Sequence, residues 1–218
     1  MNRILTTARS PRSRLRFDGW IAGLGTASGT RIVLGHWQRT PFGPFSDVMV
    51  EDGGGERLLI APTRRTADFI RSTYVFDDVR IEPVEVTVSG ESWSVAAPSL
   101  ELRFVVGRRG PLGLALRAVP AGLARRPAWS ALTDVPARLL LNGVRTRGSA
   151  GGGRTEWYGA QDLRPLRTVS AVFDGADLGP MEPVMPPVRF GFGSVPPRPC
   201  LTRVTTTVAL GRGEGLRP

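Results

Sequence analysis

Apolar and polar residues alternate with a period of two along much of this chain. In SLELRFVV (99–106), leucine and phenylalanine alternate with glutamate and arginine. This rhythm is typical of a half-buried strand in an antiparallel sheet. Two apolar-rich segments, 46–51 and 56–61, flank an Asp-Gly-Gly-Gly sequence and predict a hairpin.

Helical spacing occurs in two regions. In 63–74, Thr63 is suited to cap a helix, and Ala67, Ile70 and Tyr74 recur every three to four residues. The segment 111–141 contains the second helical region. Within it, 112–119 fits either a strand or a first helical turn, and Pro136 splits or kinks the helix predicted over 127–141.

These patterns predict one α+β domain, mainly antiparallel β, over residues 15–210. We expect a single curved sheet or barrel, or two packed sheets, with one or two helices packed against it. Residues 1–14 are predicted to be a disordered basic arm and residues 211–218 a disordered tail. Seven prolines fall within 175–199. Such a long irregular segment is expected to pack across the sheet or to cover a site.

The basic residues are unevenly distributed and are all arginine. The 29 basic residues include no lysine, which excludes Schiff-base catalysis and a P-loop lysine. The formal net charge is +10. Residues 43–101 nevertheless carry 5 Arg against 11 Asp or Glu, whereas 102–167 carry 12 Arg against 3. The chain is therefore dipolar rather than uniformly basic.

Cys200 is the only cysteine and His36 the only histidine, so neither an intramolecular disulfide nor a His-rich metal site is possible. We expect no metal, no cofactor and a buried, inert Cys200. No apolar segment reaches the ~18 residues of a membrane-spanning helix, and the N-terminus has no secretory apolar region. A cytoplasmic protein is the resulting expectation.

The stretch 143–162 gathers more groups able to bind or react than any other. We predict two short strands, 145–147 and 154–158, joined by a GSAGGG loop, with Arg147 paired to Arg154. One face then carries the candidate site residues, and the other is expected to pack against a core. The predicted site face holds Arg145, Arg147, Arg154, Glu156 and Tyr158; the predicted core face holds Val144, Thr146, Thr155 and Trp157.

The leading hypothesis is a small-molecule-binding barrel. Guanidinium groups bind carboxylates bidentately, so the arginines of the site face suit the anionic head of an amphipathic carboxylic acid. Aromatic residues would supply the apolar lining, and His36 is a further candidate ligand-binding residue. The candidate lining residues are Trp20, Trp37, Trp157, Phe104 and Tyr158.

Two alternatives remain open. One is an enzyme of unknown reaction, in which His36 acts as acid or base beside Glu156 or Asp162. The other is binding to nucleic acid or another polyanion through the basic arm and residues 102–167, with salt-sensitive affinity. The sequence does not decide whether the protein is an enzyme.

The segment FGPFSD (42–47), which enters the predicted hairpin, is similar to the early strands of acetoacetate decarboxylase-like barrels. The resemblance covers this short stretch. That family's reaction relies on a lysine imine, which a chain without lysine cannot form. The resemblance therefore implies at most a shared fold with a changed function. A comparison with lipocalin-like barrels is equally open, and the sequence assigns no family.

Overall fold

The computed structural model describes residues 13–124, 126, 129 and 144–211. These residues form thirteen strands, two helices of eight residues, a helical turn and a 3₁₀ turn, Gly151–Gly153. The strands are β1 (Arg14–Thr26), β2 (Arg31–Arg39), β3 (Phe45–Glu51), β4 (Arg57–Ala61), β5 (Asp78–Ile81), β6 (Glu85–Ser89), β7 (Ser92–Ala97), β8 (Leu100–Val106), β9 (Arg147–Ala150), β10 (Arg154–Phe173), β11 (Ala176–Asp177), β12 (Met181–Glu182) and β13 (Cys200–Ala209). The helices are α1 (Arg64–Arg71), α2 (Pro111–Ala118) and the turn α3 (Ala121–Ala124).

Ten strands follow one another in a single hydrogen-bonded path, in the order β5-β4-β3-β2-β1-β13-β10-β8-β7-β6. Among the described strands, neighbours pair antiparallel except β4 and β5, which are parallel. The two ends of the path, β5 and β6, are consecutive in the chain. Because only residues 82–84 join them, the ends of these strands lie within about 14 Å of each other. The sheet therefore curls into a half-barrel, as the sequence predicted.

The 20-residue strand β10 belongs to both halves of the curled sheet. Its first half pairs with β13 from Thr155 to Pro165, and its second half pairs with β8 from Leu166 to Phe173. The curl at β10 brings the β6-β7-β8 half over one face of the β1-β2-β3 half. The opposite face of β1-β2-β3 is not covered by this half of the sheet.

The main core fills the space between the two halves. Leu24, Ile32 and Leu34 from one half pack with Leu102 and Phe104 from the other, and all five are at most 2 % exposed. Burying a side chain of this size stabilises the fold by about 1.5–3 kcal/mol. We call this face of β1-β2-β3 the core face.

The opposite face is covered by the segment 183–196, which we call the strap. A methyl group added at Gly23 would collide with Val195, and one added at Gly25 would collide with the backbone of Pro183. These glycines let the strap pass directly over β1. The proline-rich segment thus packs across the sheet, as expected from its sequence.

The strap is held at its middle by a buried carboxylate. Glu51, fully buried at the end of β3, accepts hydrogen bonds from the Arg189 backbone N–H at 2.8 Å and from Arg189 Nε at 2.9 Å. Arg31 Nη2 lies 3.1 Å from the same carboxylate. Val75 N–H also donates to the Phe190 carbonyl at 2.8 Å.

The hairpin β3–β4 and the helix α1 form where the sequence predicts them. Thr63 caps α1: its hydroxyl accepts from Thr66 N–H, and the Thr66 hydroxyl accepts from Thr63 N–H. Ala67 and Ile70 bury one side of α1 against Leu59. In the second helical region, 112–119 is largely the helix α2. Most of the helix predicted over 127–141 lies outside the described residues.

The predicted register of the 143–162 hairpin is wrong. Arg147 pairs with Trp157 rather than with Arg154, and β9 extends to Ala150, into the predicted loop. Gly148 lies within β9 rather than in the turn, and its missing side chain makes room for the ring of Phe192 on the strap. The turn is confined to Gly151–Gly153.

The first strand includes the last residue of the predicted arm. β1 starts at Arg14, the last residue of the predicted arm, and Leu210 N–H donates to the Ser13 carbonyl at 3.0 Å. Residues 1–12 and 212–218 lie outside the described residues. None of the helices in the described part of the chain has the length and apolar content needed to span a membrane.

Candidate ligand cavity

A cavity of about 330 Å³ lies between the second face of β1-β2-β3 and its covering segments. We call this the cavity face. Strands β1, β2, β3, β10 and β13 form the floor, and α1, α2 and the strap contribute to the walls. Most of the lining is apolar. Representative lining residues are Ile21, Val33, Phe45, Met49, Phe69, Leu116, Val188 and Val204.

Glu156 is the most enclosed polar side chain of the lining. It is 1 % exposed and points inward from β10. The Tyr74 hydroxyl, just beyond α1, donates to Glu156 Oε2 at 3.0 Å and lies 3.2 Å from Oε1. Tyr158, two residues along β10, places its hydroxyl 2.6 Å from that of Tyr74 and 3.3 Å from Glu156 Oε2. Burial raises the pKa of Glu156 to about 7, against the lowering effect of the two tyrosine hydrogen bonds and of Arg154.

Asp47 is a second buried carboxyl in the same lining. It is 2 % exposed, and its Oδ1 accepts a hydrogen bond from Trp37 Nε1 at 2.9 Å. Burial raises the pKa of Asp47 to about 7, offset in part by that hydrogen bond. Gly35 lies directly opposite Asp47 in the β2–β3 pairing. A methyl group at Gly35 would lie 2.6 Å from both Asp47 Oδ1 and Trp37 Nε1, so the missing side chain permits this hydrogen bond.

Arg154 lies on the same inward face of β10 as Glu156, but its side chain binds the residues that follow helix α1. Its Nη1 donates to the hydroxyls of Ser72 and Thr73, both at 2.6 Å, and its guanidinium lies 4.9 Å from the ring centre of Phe69. Arg154 is 5 % exposed and does not line the cavity. Its hydrogen bonds fix the end of α1, and with it Tyr74.

The other two candidate arginines occupy different environments. Arg145 is exposed and contributes to the cavity wall beside Gly193 of the strap. Arg147 is also exposed, on β9, and does not line the cavity. The structure therefore does not bring the three arginines together at one point of the lining.

His36 faces away from the cavity. On β2, Val33, Gly35 and Trp37 line the cavity, and His36 points to the opposite side between them. Its Nδ1 lies 2.9 Å from Ser46 Oγ, and its ring meets Trp93 edge-on at 5.6 Å. Burial, then the charge of Arg203, lowers its pKa.

The acidic partners considered for His36 are engaged elsewhere. Asp162 accepts from Arg109 Nε at 2.9 Å, and Glu156 is bonded by the two tyrosines. The structure does not bring His36 into contact with either of them. Cys200 is buried, as expected, and burial raises the pKa of its thiol to about 11.

Of the five predicted lining aromatics, two line the cavity: Trp37 and Tyr158. Trp20 and Phe104 pack in the main core instead. Trp157 points away from the cavity, with the Arg14 guanidinium 5.8 Å from its ring centre. On β10, Glu156 and Tyr158 of the predicted site face therefore line the cavity, whereas Trp157 of the predicted core face does not.

Sequence reasoning missed Asp47 and Tyr74 as site residues. Val48 and Val50 lie on the core face, so Asp47 and Met49 must share the other side of β3. An acid alternating with two buried valines normally indicates a solvated face. Nothing local shows that the strap, more than 130 residues later, covers that face.

Comparisons with known proteins identify no family. No family model matches the chain, and no curated protein matches it. Among solved structures, an acetoacetate decarboxylase from Legionella pneumophila is similar over 94 % of this chain and 91 % of its own, with 9 % identity and a TM-score of 0.44. A second acetoacetate decarboxylase structure gives 10 % identity over 94 % and 90 %, also with 0.44. A putative AttH from Nitrosomonas europaea gives 10 % identity over 100 % and 60 %, with 0.29. Scores at this level carry no argument about the activity of this chain.

Polyanion binding stays a prediction. Its proposed surface comprises the basic arm and residues 102–167, and both include residues outside the described part of the chain. A candidate metal centre is not part of the site either: within the described residues, no three His, Cys, Asp or Glu side chains cluster closely enough to hold an ion.

Proposed function

We propose that the protein binds a small amphipathic molecule in this cavity, with an apolar body inside and an acidic head beside Arg145. The observation that carries the proposal is a mostly apolar space of about 330 Å³ between the sheet and the strap. Ligand sites typically have volumes of about 300–1,000 Å³, apolar walls and a few polar groups. The cavity lies at the small end of that range.

The position of the acidic head is argued from charge. Deep in the cavity an anion would meet the carboxyls of Asp47 and Glu156, which repel it once they are ionised. Arg145 is the arginine in the described lining, and its exposure keeps it at the rim. An acid therefore fits best with its chain inward and its carboxylate against this guanidinium.

This arrangement makes binding of an acid depend on pH. The pKa values of Asp47 and Glu156 are raised to about 7. Below pH 7 both carboxyls become neutral while a fatty acid stays ionised down to about pH 5. We expect the affinity for a carboxylate to rise as the pH falls from 8 to 6, and the affinity for an uncharged analogue to change less.

The test is thermal unfolding with octanoate and with 1-octanol, which has the same chain without the acid. Octanoate is expected to raise the melting temperature more than octanol does, because a ligand that binds only the folded state stabilises it by an amount that increases with the logarithm of its affinity. Arg145→Gln is expected to remove the difference between the two ligands. Arg147→Gln, which alters an arginine outside the lining, is the matched control and should preserve it.

Two results would contradict the proposed binding of an amphipathic acid. If acids and alcohols of six to twelve carbons all leave the melting temperature unchanged, the cavity is not a site for amphipathic molecules. If octanoate stabilises the Arg145→Gln protein as much as the original, the acidic head lies elsewhere.

A further inference from the structure

The apolar lining of the cavity contains two buried carboxyl groups. Asp47 and Glu156 reach the lining from β3 and β10, on opposite sides of β1, β2 and β13 in the strand order. Burial and the charge of Glu156 raise the pKa of Tyr158, and the charge of Asp47 adds to them, which places Asp47 and Tyr158 within electrostatic range of each other. Buried carboxyls with raised pKa values in an apolar cavity are characteristic of acid–base sites.

One carboxyl oxygen of Asp47 is available to bind a ligand. Oδ1 is held by Trp37 Nε1, whereas Oδ2 receives no side-chain hydrogen bond from any residue in the described ranges. Elsewhere in the lining, opposite Tyr158 in the β10–β13 pairing, the buried hydroxyl of Thr206 has no hydrogen-bond partner in the described ranges. A buried hydroxyl left without a partner destabilises the folded protein. Both are placed to contact a bound molecule.

The tyrosines connect Glu156 to the cavity. When Glu156 is protonated, its proton can be donated to the Tyr74 hydroxyl, and the Tyr74 proton can be donated to the Tyr158 hydroxyl 2.6 Å away. The Tyr158 proton can then be donated to a ligand in the cavity that Tyr158 lines. A neutral carboxylic acid thus turns Tyr158 into a hydrogen-bond donor for a ligand oxygen.

We propose that the cavity catalyses proton transfer at the carbon next to a ligand carbonyl group, with Asp47 as the base and Tyr158 as the donor to the carbonyl oxygen. This rests on the proposed binding of an amphipathic molecule. For a β,γ-unsaturated ketone, Asp47 Oδ2 removes the α-proton, and the electron pair moves through the conjugated system onto the oxygen held by Tyr158. The same proton is returned by Asp47 to the γ-carbon, which gives the conjugated α,β-unsaturated isomer. Substrate and product have the same atoms, and no co-reactant is consumed.

The two carboxyls have different neighbours. Asp47 contacts Trp37 and lies within electrostatic range of Tyr158, whereas Glu156 contacts Tyr74 and Tyr158 and lies near the charge of Arg154. Activity requires Asp47 ionised and Glu156 protonated. Because both pKa values are raised to about 7, this combination is most populated near neutral pH. We expect a bell-shaped rate profile centred there.

The experiment follows the conversion of 4-octen-2-one to 3-octen-2-one by the ultraviolet absorbance of the conjugated product. Binding of the saturated analogue, 2-octanone, is measured in parallel by saturation-transfer NMR. Asp47→Asn keeps the oxygen that accepts from Trp37 and is expected to slow isomerisation by about 10²–10⁴-fold. Tyr158→Phe is expected to cost about 10²–10³-fold. Asp177→Asn, an acid far from the lining, is the control and should keep the original rate.

The outcomes separate the two proposals. Binding of 2-octanone without isomerisation by the original protein overturns proton transfer and leaves ligand binding standing. Failure of 2-octanone, octanoate and octanol to bind at all overturns both. Isomerisation that survives Asp47→Asn overturns the role of Asp47. If that variant does not fold, as judged by circular dichroism, Tyr158→Phe and the pH profile decide, and a rate independent of pH between 5 and 9 rejects the assignment.

Discussion

The core face and the cavity face of β1-β2-β3 are made of alternate residues of the same three strands, yet one is solid and the other is hollow. On the core face, Ile32, Leu34 and Val48 meet the side chains of the regular β6-β7-β8 half of the curled sheet and are at most 1 % exposed. On the cavity face, Gly35 and Asp47 alternate with them beneath an irregular strap. Two sheets can interdigitate layer by layer, whereas a strap of fourteen residues covers an area without filling it.

The two faces also contribute differently to the stability of the fold and to the candidate site. Burial on the core face removes apolar surface from water and strengthens the fold. Burial on the cavity face encloses Asp47 and Glu156, whose charged forms are costly there. A fold retains such destabilising groups most readily where they serve a site. Substitutions on the two faces should therefore have different consequences.

The largest contrast is expected between two phenylalanines. Phe104 is 2 % exposed in the main core, whereas Phe45 is half-buried beside the existing cavity. Phe104→Ala should lower the free energy of unfolding by about 3–5 kcal/mol, because it opens a new void. Phe45→Ala enlarges a void that already exists and should cost about half as much. Urea denaturation measures both. Equal losses would mean that the two faces are packed alike.

The second contrast concerns pH. In the folded protein Asp47 keeps its proton up to about pH 7, whereas the unfolded chain releases it near 3.8. Between these values the folded state binds more protons, so the free energy of unfolding falls as the pH rises. Glu156, whose pKa is raised from 4.5 to about 7, acts in the same direction. His36, whose pKa is lowered, acts in the opposite direction below about 6.5.

Asp47→Asn isolates the contribution of Asp47. The variant should be as stable as the original near pH 4 and more stable by up to about 4 kcal/mol at pH 8, since every tenfold difference in proton affinity between the folded and unfolded states corresponds to about 1.4 kcal/mol. Chemical denaturation at both pH values measures the difference, and the His36 contribution cancels because it is common to both proteins. A constant difference across the range would show that Asp47 is ionised in the folded protein.

The third contrast tests the strap. Gly23→Ala places a methyl group against Val195 and should cost about 1–3 kcal/mol, because the strap must move away from β1. It should also weaken octanoate binding by displacing part of the cavity wall. Gly122→Ala adds the same group where nothing lies within 4 Å and serves as the control. Unchanged stability and binding in Gly23→Ala would show that the strap is free to shift.

The features of the fold and of the site that the sequence predicts are those encoded by residues close together in the chain. The cap at Thr63, the β3–β4 hairpin and the curled antiparallel sheet follow from residue types at short spacing. On β10 the alternation separates Glu156 and Tyr158 from Trp157, but it does not decide whether the first face lies in water or in a lined cavity. Only the approach of Tyr74, 82 residues earlier in the chain, makes the burial of Glu156 intelligible. The site is thus formed by contacts between distant segments, which a single sequence does not reveal.

The smallest contrast lies in two neighbouring threonines of β13. Thr205 is buried and satisfied: its hydroxyl donates to Asp18 at 2.5 Å and accepts from Gln161 at 2.8 Å. Thr206 is buried on the cavity side without a partner among the described residues. Thr205→Val should cost about 1–3 kcal/mol, because it leaves Asp18 without that donor. Thr206→Val removes an unpaired hydroxyl and should be neutral or stabilising by up to about 1 kcal/mol, while weakening the binding of 2-octanone. If Thr206→Val instead destabilises the protein as much as Thr205→Val does, the Thr206 hydroxyl already has a hydrogen-bond partner in the cavity. It is then not available to bind a ligand.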